Sequence, residues 1–204
     1  MANGALVRGS DSILELAALP IHGLHNAANA LAACALASCL NVSLSKLADG
    51  LKTFKGLPHR VELVATRNGV EWYDDSKGTN VGATIAALRG LGRKAVLILG
   101  GEGKGQDFVP LAEAVRRHGA HVLLIGRDAP LIERALAGLP ALPRERCGSL
   151  EDAVQRAAEL ARPGEAVLLS PACASFDMFR DYKQRGDAFA AAVRALPAGE
   201  GPSS

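Results

Sequence analysis

Apolar residues in the second half of the chain recur in short unbroken runs: Ala95-Val-Leu-Ile-Leu-Gly100, His121-Val-Leu-Leu-Ile-Gly126 and Ala166-Val-Leu-Leu-Ser170. Strands covered on both faces of a parallel sheet read this way, because neither face meets water. Between the runs the spacing of apolar positions predicts helices near 80–91, 108–118, 128–137 and 149–161, with a last helix near 176–196. Just before them, Val61-Glu-Leu-Val-Ala-Thr66 and Val70-Glu-Trp-Tyr73 flank Asn68-Gly69. That dipeptide tolerates positive φ at both central turn positions and predicts a hairpin. Such alternation predicts an α/β domain on a mostly parallel sheet with right-handed crossovers, where ligands collect at the carboxyl ends of the strands.

Ahead of residue 60 the pattern is shorter and broken. Ser12-Ile-Leu-Glu-Leu16 reads as a strand, Pro20 as a turn, Leu24–Leu40 as an alanine-rich helix, and the segment from Ser43 as a second helix, capped by that serine and closed near Gly50. One strand and two helices cannot close a two-sided sheet, so residues 1–57 are expected to be the end of a domain that begins upstream, and 58–204 a second domain. Leu24–Leu40 has roughly the minimum length for a membrane span. It contains His25, Asn26, Asn29 and Ser38, which predicts a packed helix and no membrane contact. From Pro197 onward Gly, Pro and Ser predict a frayed tail.

At 49% hydrophobic and 22% charged, 204 residues suffice for a buried core, and disorder is not expected. Lys plus Arg number 23 against 21 Asp plus Glu, a net charge of +2 that argues against a nucleic-acid partner and for a small molecule. Four cysteines without a C-x-x-C pair, and an N-terminus without a basic, then long apolar, leader, predict a reducing cytoplasmic setting.

Three polar clusters fall where strands give way to helices. The first is Asp74-Asp-Ser-Lys-Gly-Thr-Asn80, where Lys77 and a helix N-terminus suit an anion and the carboxylates suit a ribose hydroxyl or a metal-bound water. A plain turn in which Ser76 or Thr79 caps the helix is equally compatible. The second, Gly100-Gly-Glu-Gly-Lys-Gly-Gln-Asp107, is glycine-rich and carries Lys104. It is neither a P-loop, since Ile98 holds the first glycine position and Gly105 follows the lysine, nor G-x-G-x-x-G, since Gln106 holds the third. The third runs from Ser170 to Gly186, with Ser175 expected to cap the last helix, Cys173 expected to be a buried thiol, and Arg185 compatible with a surface charge. Phe176, Phe179 and Tyr182 have helical spacing, which also fits plain core. In the first domain Asn26 and Asn29 share a helical face and could meet an adenine edge, while His22 and His25 lack the acidic partners that a metal site needs.

Taken together, His25-Asn-Ala-Ala-Asn-Ala-Leu31, Gly56-Leu-Pro-His-Arg60, Asp74–Gly82, Gly100–Phe108, Leu169–Asp177 and Gln184-Arg-Gly186 resemble the Mur ligase family, in particular its glutamate-adding branch. The resemblance implies a Rossmann-like C-terminal domain, preceded by a remnant of the central ATPase domain. It implies ATP-dependent amide formation through an acyl phosphate in cell-wall synthesis, by a cytoplasmic monomer. The reactants would be D-glutamate, ATP and UDP-N-acetylmuramoyl-L-alanine, with ATP and Mg²⁺ held mainly by upstream sequence and no metal ligand in this chain. Carried over by position, Asn26, Asn29 and Arg60 would meet the nucleotide, and Asp75 and Lys77 would sit beside it. Arg60, Asp75 and Lys77 would serve catalysis. Thr79, Lys104, Ser175, Phe176 and Tyr182 would form the glutamate pocket, with Arg185 in support. Tyr182 stands where the family often has Phe, and Gly78 where it often has Ala, a change expected to matter little.

Two other classes compete: a stand-alone module that binds glutamate or a nucleotide without chemistry, and a phospho-acceptor receiver built on Asp74-Asp75. The receiver would need an acceptor aspartate and a lysine where Gly126-Arg127 and Ser170-Pro171 stand. Since the chain contains no Gly-Lys-Ser/Thr P-loop, the purified 204-residue protein is expected to give no ATP-dependent phosphate release with both substrates present, which a phosphate assay checks directly.

Overall fold

The computed structural model describes residue 1, residues 4–21 and residues 23–197, and the chain divides into two compact units, Met1–Leu57 and Pro58–Ser204. The expectations for His22 and for the tail beyond residue 197 lie outside the described residues.

The first unit opens with a hairpin of β1 (Ala5–Arg8) and β2 (Asp11–Glu15), followed by a 3-10 turn at Leu16–Ala18 and helices α1 (Leu24–Ser38) and α2 (Leu44–Thr53). Ser43 caps α2 as expected, its hydroxyl accepting from the Lys46 N–H, but the helix runs on through Gly50. Strand β1 was not anticipated, because four residues are too few to display a period. Leu6, Ile13 and Leu14 of the hairpin bury against Ala27, Ala30 and Cys34 of α1 and Leu47 of α2. No described helix is long and apolar enough to cross a membrane.

In the second unit β3 (Glu62–Arg67) and β4 (Val70–Asp74) form the expected hairpin, with Asn68 and Gly69 at φ 52° and 73°. Then follow α3 (Val81–Leu91), β5 (Ala95–Gly100), α4 (Leu111–His118), β6 (Gly119–Ile125), α5 (Ala129–Ala135), β7 (Arg144–Arg146), α6 (Leu150–Leu160), β8 (Ala166–Leu169) and α7 (Tyr182–Ala195). The six strands lie in the order β3-β4-β8-β5-β6-β7, parallel throughout except for β3 against β4. Strand β7, polar and three residues long, was not visible in the pattern.

The two-residue period of β5 divides the core. Leu97 and Leu99 pack with Leu88 of α3, Leu111 and Val115 of α4 and Ile132 of α5, while Val96 and Ile98 pack with Leu150 and Val154 of α6 and Phe189 and Val193 of α7. A strand sandwiched in this way cannot carry a polar residue on either side, which explains the unbroken apolar runs.

The last helix begins six residues later than expected. Asp181 is its N-cap, accepting from the Gln184 N–H at 2.8 Å. Ser175 instead starts a separate turn, its carbonyl accepting from the N–H groups of Met178 and Phe179. The expected cap at Ser175 is therefore corrected: an Asp three residues before a Gln closes the first helical turn, and the chain from 171 to 181 is left to form a loop.

Leu97 is fully buried at the centre of the sheet, so Leu97→Ala should lower the unfolding free energy by about 2–5 kcal/mol. Urea denaturation of the 204-residue chain measures this.

Candidate functional site

Strands β4, β8 and β5 are neighbours and parallel, so their carboxyl ends lie on one edge of the sheet. The loops that leave them are the three clusters singled out from the sequence. No regular ladder continues there, and side chains and short backbone bridges take over the hydrogen bonding.

In the first loop Asp74 is buried, accepting from the Ser76 N–H at 2.8 Å through one oxygen and lying 2.7 Å from His59 Nδ1 through the other. Asp75, also buried, accepts from the Ser170 hydroxyl at 2.6 Å, and Ser170 lies 3.1 Å from the Thr84 hydroxyl of α3. Neither Ser76 nor Thr79 caps α3; Asn80 does, accepting from the Ala83 N–H. Thr79 is half-buried beside that cap. Lys77 places its ammonium 4.1 Å from the centroid of the Tyr182 ring, a cation–π contact. Gly78 matters more than its sequence context suggested. A Cβ there would stand 2.5 Å from Asp75 Oδ2 and 2.7 Å from Ser170 Oγ, so an alanine would press on the pair that joins the first loop to the third.

The second loop begins with Gly100 and Gly101 at φ 122° and 127°, where a Cβ would stand 1.9 Å from the Ile125 carbonyl oxygen and 2.3 Å from that of Ala174 respectively. Glu102 exchanges both backbone hydrogen bonds with Ala174 of the third loop, each at 2.9 Å. The Gly103 N–H donates to Asp128 at 2.7 Å. Lys104 stands at the exposed tip with φ 52°, its ammonium 4.9 Å from the Phe176 ring centroid. Gln106 turns inward: its side-chain oxygen accepts from the Val81 N–H at 3.0 Å, and its amide nitrogen donates to the Ala172 carbonyl at 2.6 Å.

In the third loop Ser175 is buried, and Phe176 is exposed, neither core nor helical. Tyr182 is half-buried and faces the first loop through Lys77 and an edge-on contact with His59. Cys173 is buried, and burial pushes its thiol up to about 12, as expected of an inert residue. Arg185 is no surface charge. It is 1% exposed and donates to the Ser76 hydroxyl, the Ser76 carbonyl and the Cys173 carbonyl, so it stands behind the loops and cannot itself touch a ligand.

A fourth segment lies alongside. His59 and Val61 both adopt positive φ, 62° and 49°, which is costly for residues with a Cβ. They are pinned: the His59 N–H donates to Glu62, its carbonyl accepts from the Lys77 N–H, and Val61 bonds Asp75. Arg60 is held exposed between them. His59, Glu62 and Asp74 have donor atoms within 4.8 Å of one another, and His59 hydrogen-bonds both carboxylates, which accounts for the set without an ion. Asn26, half-buried, and Asn29, exposed, sit near the start of α1 in the other unit.

A six-stranded, mostly parallel sheet with helices on both faces and polar loops at the strand carboxyl ends defines a doubly wound α/β domain. Residues 59–173 match the family described as Mur ligase, glutamate ligase domain, and the chain belongs to that family. It is 59% identical over 194 residues to the UDP-N-acetylmuramoylalanine–D-glutamate ligase of Thiobacillus denitrificans, covering 95% of this chain and 41% of that one. It is 54% identical over 195 residues to the protein of the same description from Dechloromonas aromatica, covering 96% and 43%. The chain thus spans about two fifths of the length of these relatives. Among solved structures, the fold is similar to UDP-N-acetylmuramate-alanine ligase from Thermotoga maritima (TM-score 0.66, 18% identity, 87% of this chain and 39% of that one). It is also similar to folylpolyglutamate synthase from Mycobacterium tuberculosis (TM-score 0.64, 17% identity, 89% and 42%).

Sequence reasoning passed over Ser170, His59 and Gln106 as site residues, because each acts through a partner distant in the chain. Among the reasoned positions, Asp75 carries the largest electrostatic consequence: burial pushes its carboxyl up from 3.8 to about 7, against the hydrogen bonds from Ser170 and Val61. The native state then keeps a proton that the unfolded chain releases. The stability this group contributes is complete below the unfolded value of 3.8 and falls as pH rises towards about 7. Asp75→Asn should flatten that part of the stability profile, as thermal melts between pH 4 and pH 8 (roughly the span of the shift) would read out.

Proposed function

We propose that the chain supplies the glutamate-holding part of an ATP-dependent ligase that joins D-glutamate to UDP-N-acetylmuramoyl-L-alanine, acting as a monomer in the cytoplasm. The observation that carries this reading is the meeting of the Thr79, Lys104 and Ser175 loops at one sheet edge, cross-linked by the Glu102–Ala174 bridge and by Gln106. On this reading Met1–Leu57 is the end of the central ATP-binding domain, with Asn26 and Asn29 towards the adenine, and Pro58–Ser204 is the amino-acid domain. The D form and the nucleotide-linked acceptor come from the descriptions of the relatives.

Glutamate offers two carboxylates and an amine. Lys104, exposed and with no carboxylate partner among the described residues, suits the side-chain carboxylate, and the Phe176 ring flanks it. The Ser175 and Thr79 hydroxyls suit the remaining carboxylate oxygens. Arg185 and the Asp75–Ser170 pair hold these loops in place, so that the amine is aimed before reaction. ATP, when bound with Mg²⁺, supplies the phosphoryl group that converts the acceptor carboxylate into an acyl phosphate. The amine then forms the amide bond, the carbon–oxygen bond to phosphate breaks, and the amine loses a proton. Arg60, near Asp75, and Lys77, over the Tyr182 ring, suit the phosphate charge that builds up in these steps.

The test is a chimera in which this chain replaces the matching 41% of the Thiobacillus denitrificans relative. D-glutamate-dependent phosphate release is expected, and Lys104→Met should raise the KM for D-glutamate by about 10- to 100-fold, as expected for one charged hydrogen bond, with the KM for ATP unchanged. Glutamate binding by the chain without turnover in the chimera would favour the stand-alone binding module.

A further inference from the structure

Thr79, Lys104 and Ser175 come from three separate loops, and their mutual spacing is only as good as the links between those loops. The first and third are joined several times over, by Arg185 to Ser76 and Cys173, by Ser170 to Asp75, and by the Ala172 N–H to the Gly78 carbonyl. The second and third share the backbone bridge of Glu102 with Ala174. Between the first and second, one hydrogen bond stands out among the described residues: the Val81 N–H donating to Gln106 Oε1 at 3.0 Å. The same amide donates through Nε2 to Ala172 at 2.6 Å, so one planar group touches all three loops. Val81 is the first residue of α3, two beyond Thr79, and its N–H has no partner within its helix. Gln106 lies two residues after Lys104, which sits at positive φ on an exposed tip and makes no such bond among the described residues.

We propose that Gln106 is a positioning residue that fixes the Lys104 loop against the Thr79 turn, and so sets the distance over which the two ends of the amino-acid substrate are gripped. The proposal rests on the glutamate reading above for the substrate, but not for the geometry. An amide is needed because one atom must accept and the other donate across a fixed separation. Methionine matches its length and supplies neither, while Gln106→Glu keeps the acceptor and sets a carboxylate against the Ala172 carbonyl.

Two measurements separate the geometry from the function. In the 204-residue chain, Gln106→Met is expected to speed hydrogen exchange of the Val81 amide at least tenfold and to lower the heteronuclear NOE of Lys104 and Gly105, with the far-UV circular dichroism unchanged. Gln106→Glu should leave the Val81 amide protected, and it remains informative if the methionine variant does not fold. In the chimera, Gln106→Met should raise the KM for D-glutamate about tenfold or more while the KM for ATP and the melting temperature stay near wild type, a split that a general loss of folding would not produce. Unchanged exchange at Val81, or an unchanged glutamate KM in an active chimera whose Lys104 loop has loosened, would overturn the proposal. A wild-type chimera indifferent to glutamate would instead remove the functional reading and leave the exchange result to decide the geometry.

Discussion

A guanidinium buried to 1% exposure is the constraint around which the candidate site is organised. Taking Arg185 out of water costs several kcal/mol unless its N–H groups are matched, and three of them are, by Ser76 Oγ, the Ser76 carbonyl and the Cys173 carbonyl. Burial lowers its pKa to about 10, which still leaves it charged at neutral pH. The arginine therefore must find both loops in place, and its bonds add to the Ser170–Asp75 and Ala172–Gly78 links between them. Gly186, next in the helix, presses this geometry further: a Cβ there would stand 2.2 Å from His59 Nδ1 and 2.5 Å from Asp74 Oδ2.

This arrangement divides labour between hidden and exposed polar groups. Asp74, Asp75, Ser76, Ser170 and Arg185 are buried and bonded to one another, so they are committed to structure. Lys104 and Phe176 are left at the exposed rim, and Lys77 lies half-buried over Tyr182. On the proposed reading, a ligand at the rim meets charges and a ring carried by loops that are tied to one another, so less ordering cost falls on binding. The helices packed on either face of the sheet hold the strand ends from which these loops leave.

Much of the fold was legible because burial on both sides of a sheet leaves unbroken apolar runs, and Asn68-Gly69 carries its own turn geometry. What escaped were elements whose identity depends on neighbours. Strand β7 is polar and exists through its ladder with β6, and β1 exists through β2. The start of α7 was misread because Ser175 and Asp181 are both competent caps, and the bonds from Met178 and Phe179 to the Ser175 carbonyl decide between them. The three site loops were legible as loops rich in glycine, hydroxyls and cations at strand ends. Their fastenings, Gln106 to Val81 and Ala172 and Arg185 to Ser76 and Cys173, span up to 109 positions of sequence and leave no local signal.

By itself the sequence determined the long buried strands, the Asn68-Gly69 turn, and that loops rich in glycine, hydroxyls and cations stand at strand carboxyl ends, since those properties follow from local periodicity and glycine preferences. Only the tertiary structure decided that β8 inserts between β4 and β5. That choice brings the first and third loops together and turns Arg185 from a surface charge into a buried tie. The reason is physical: strand order is set by the packing of whole helices against both faces of the sheet, a sum of long-range contacts that no single stretch of residues encodes.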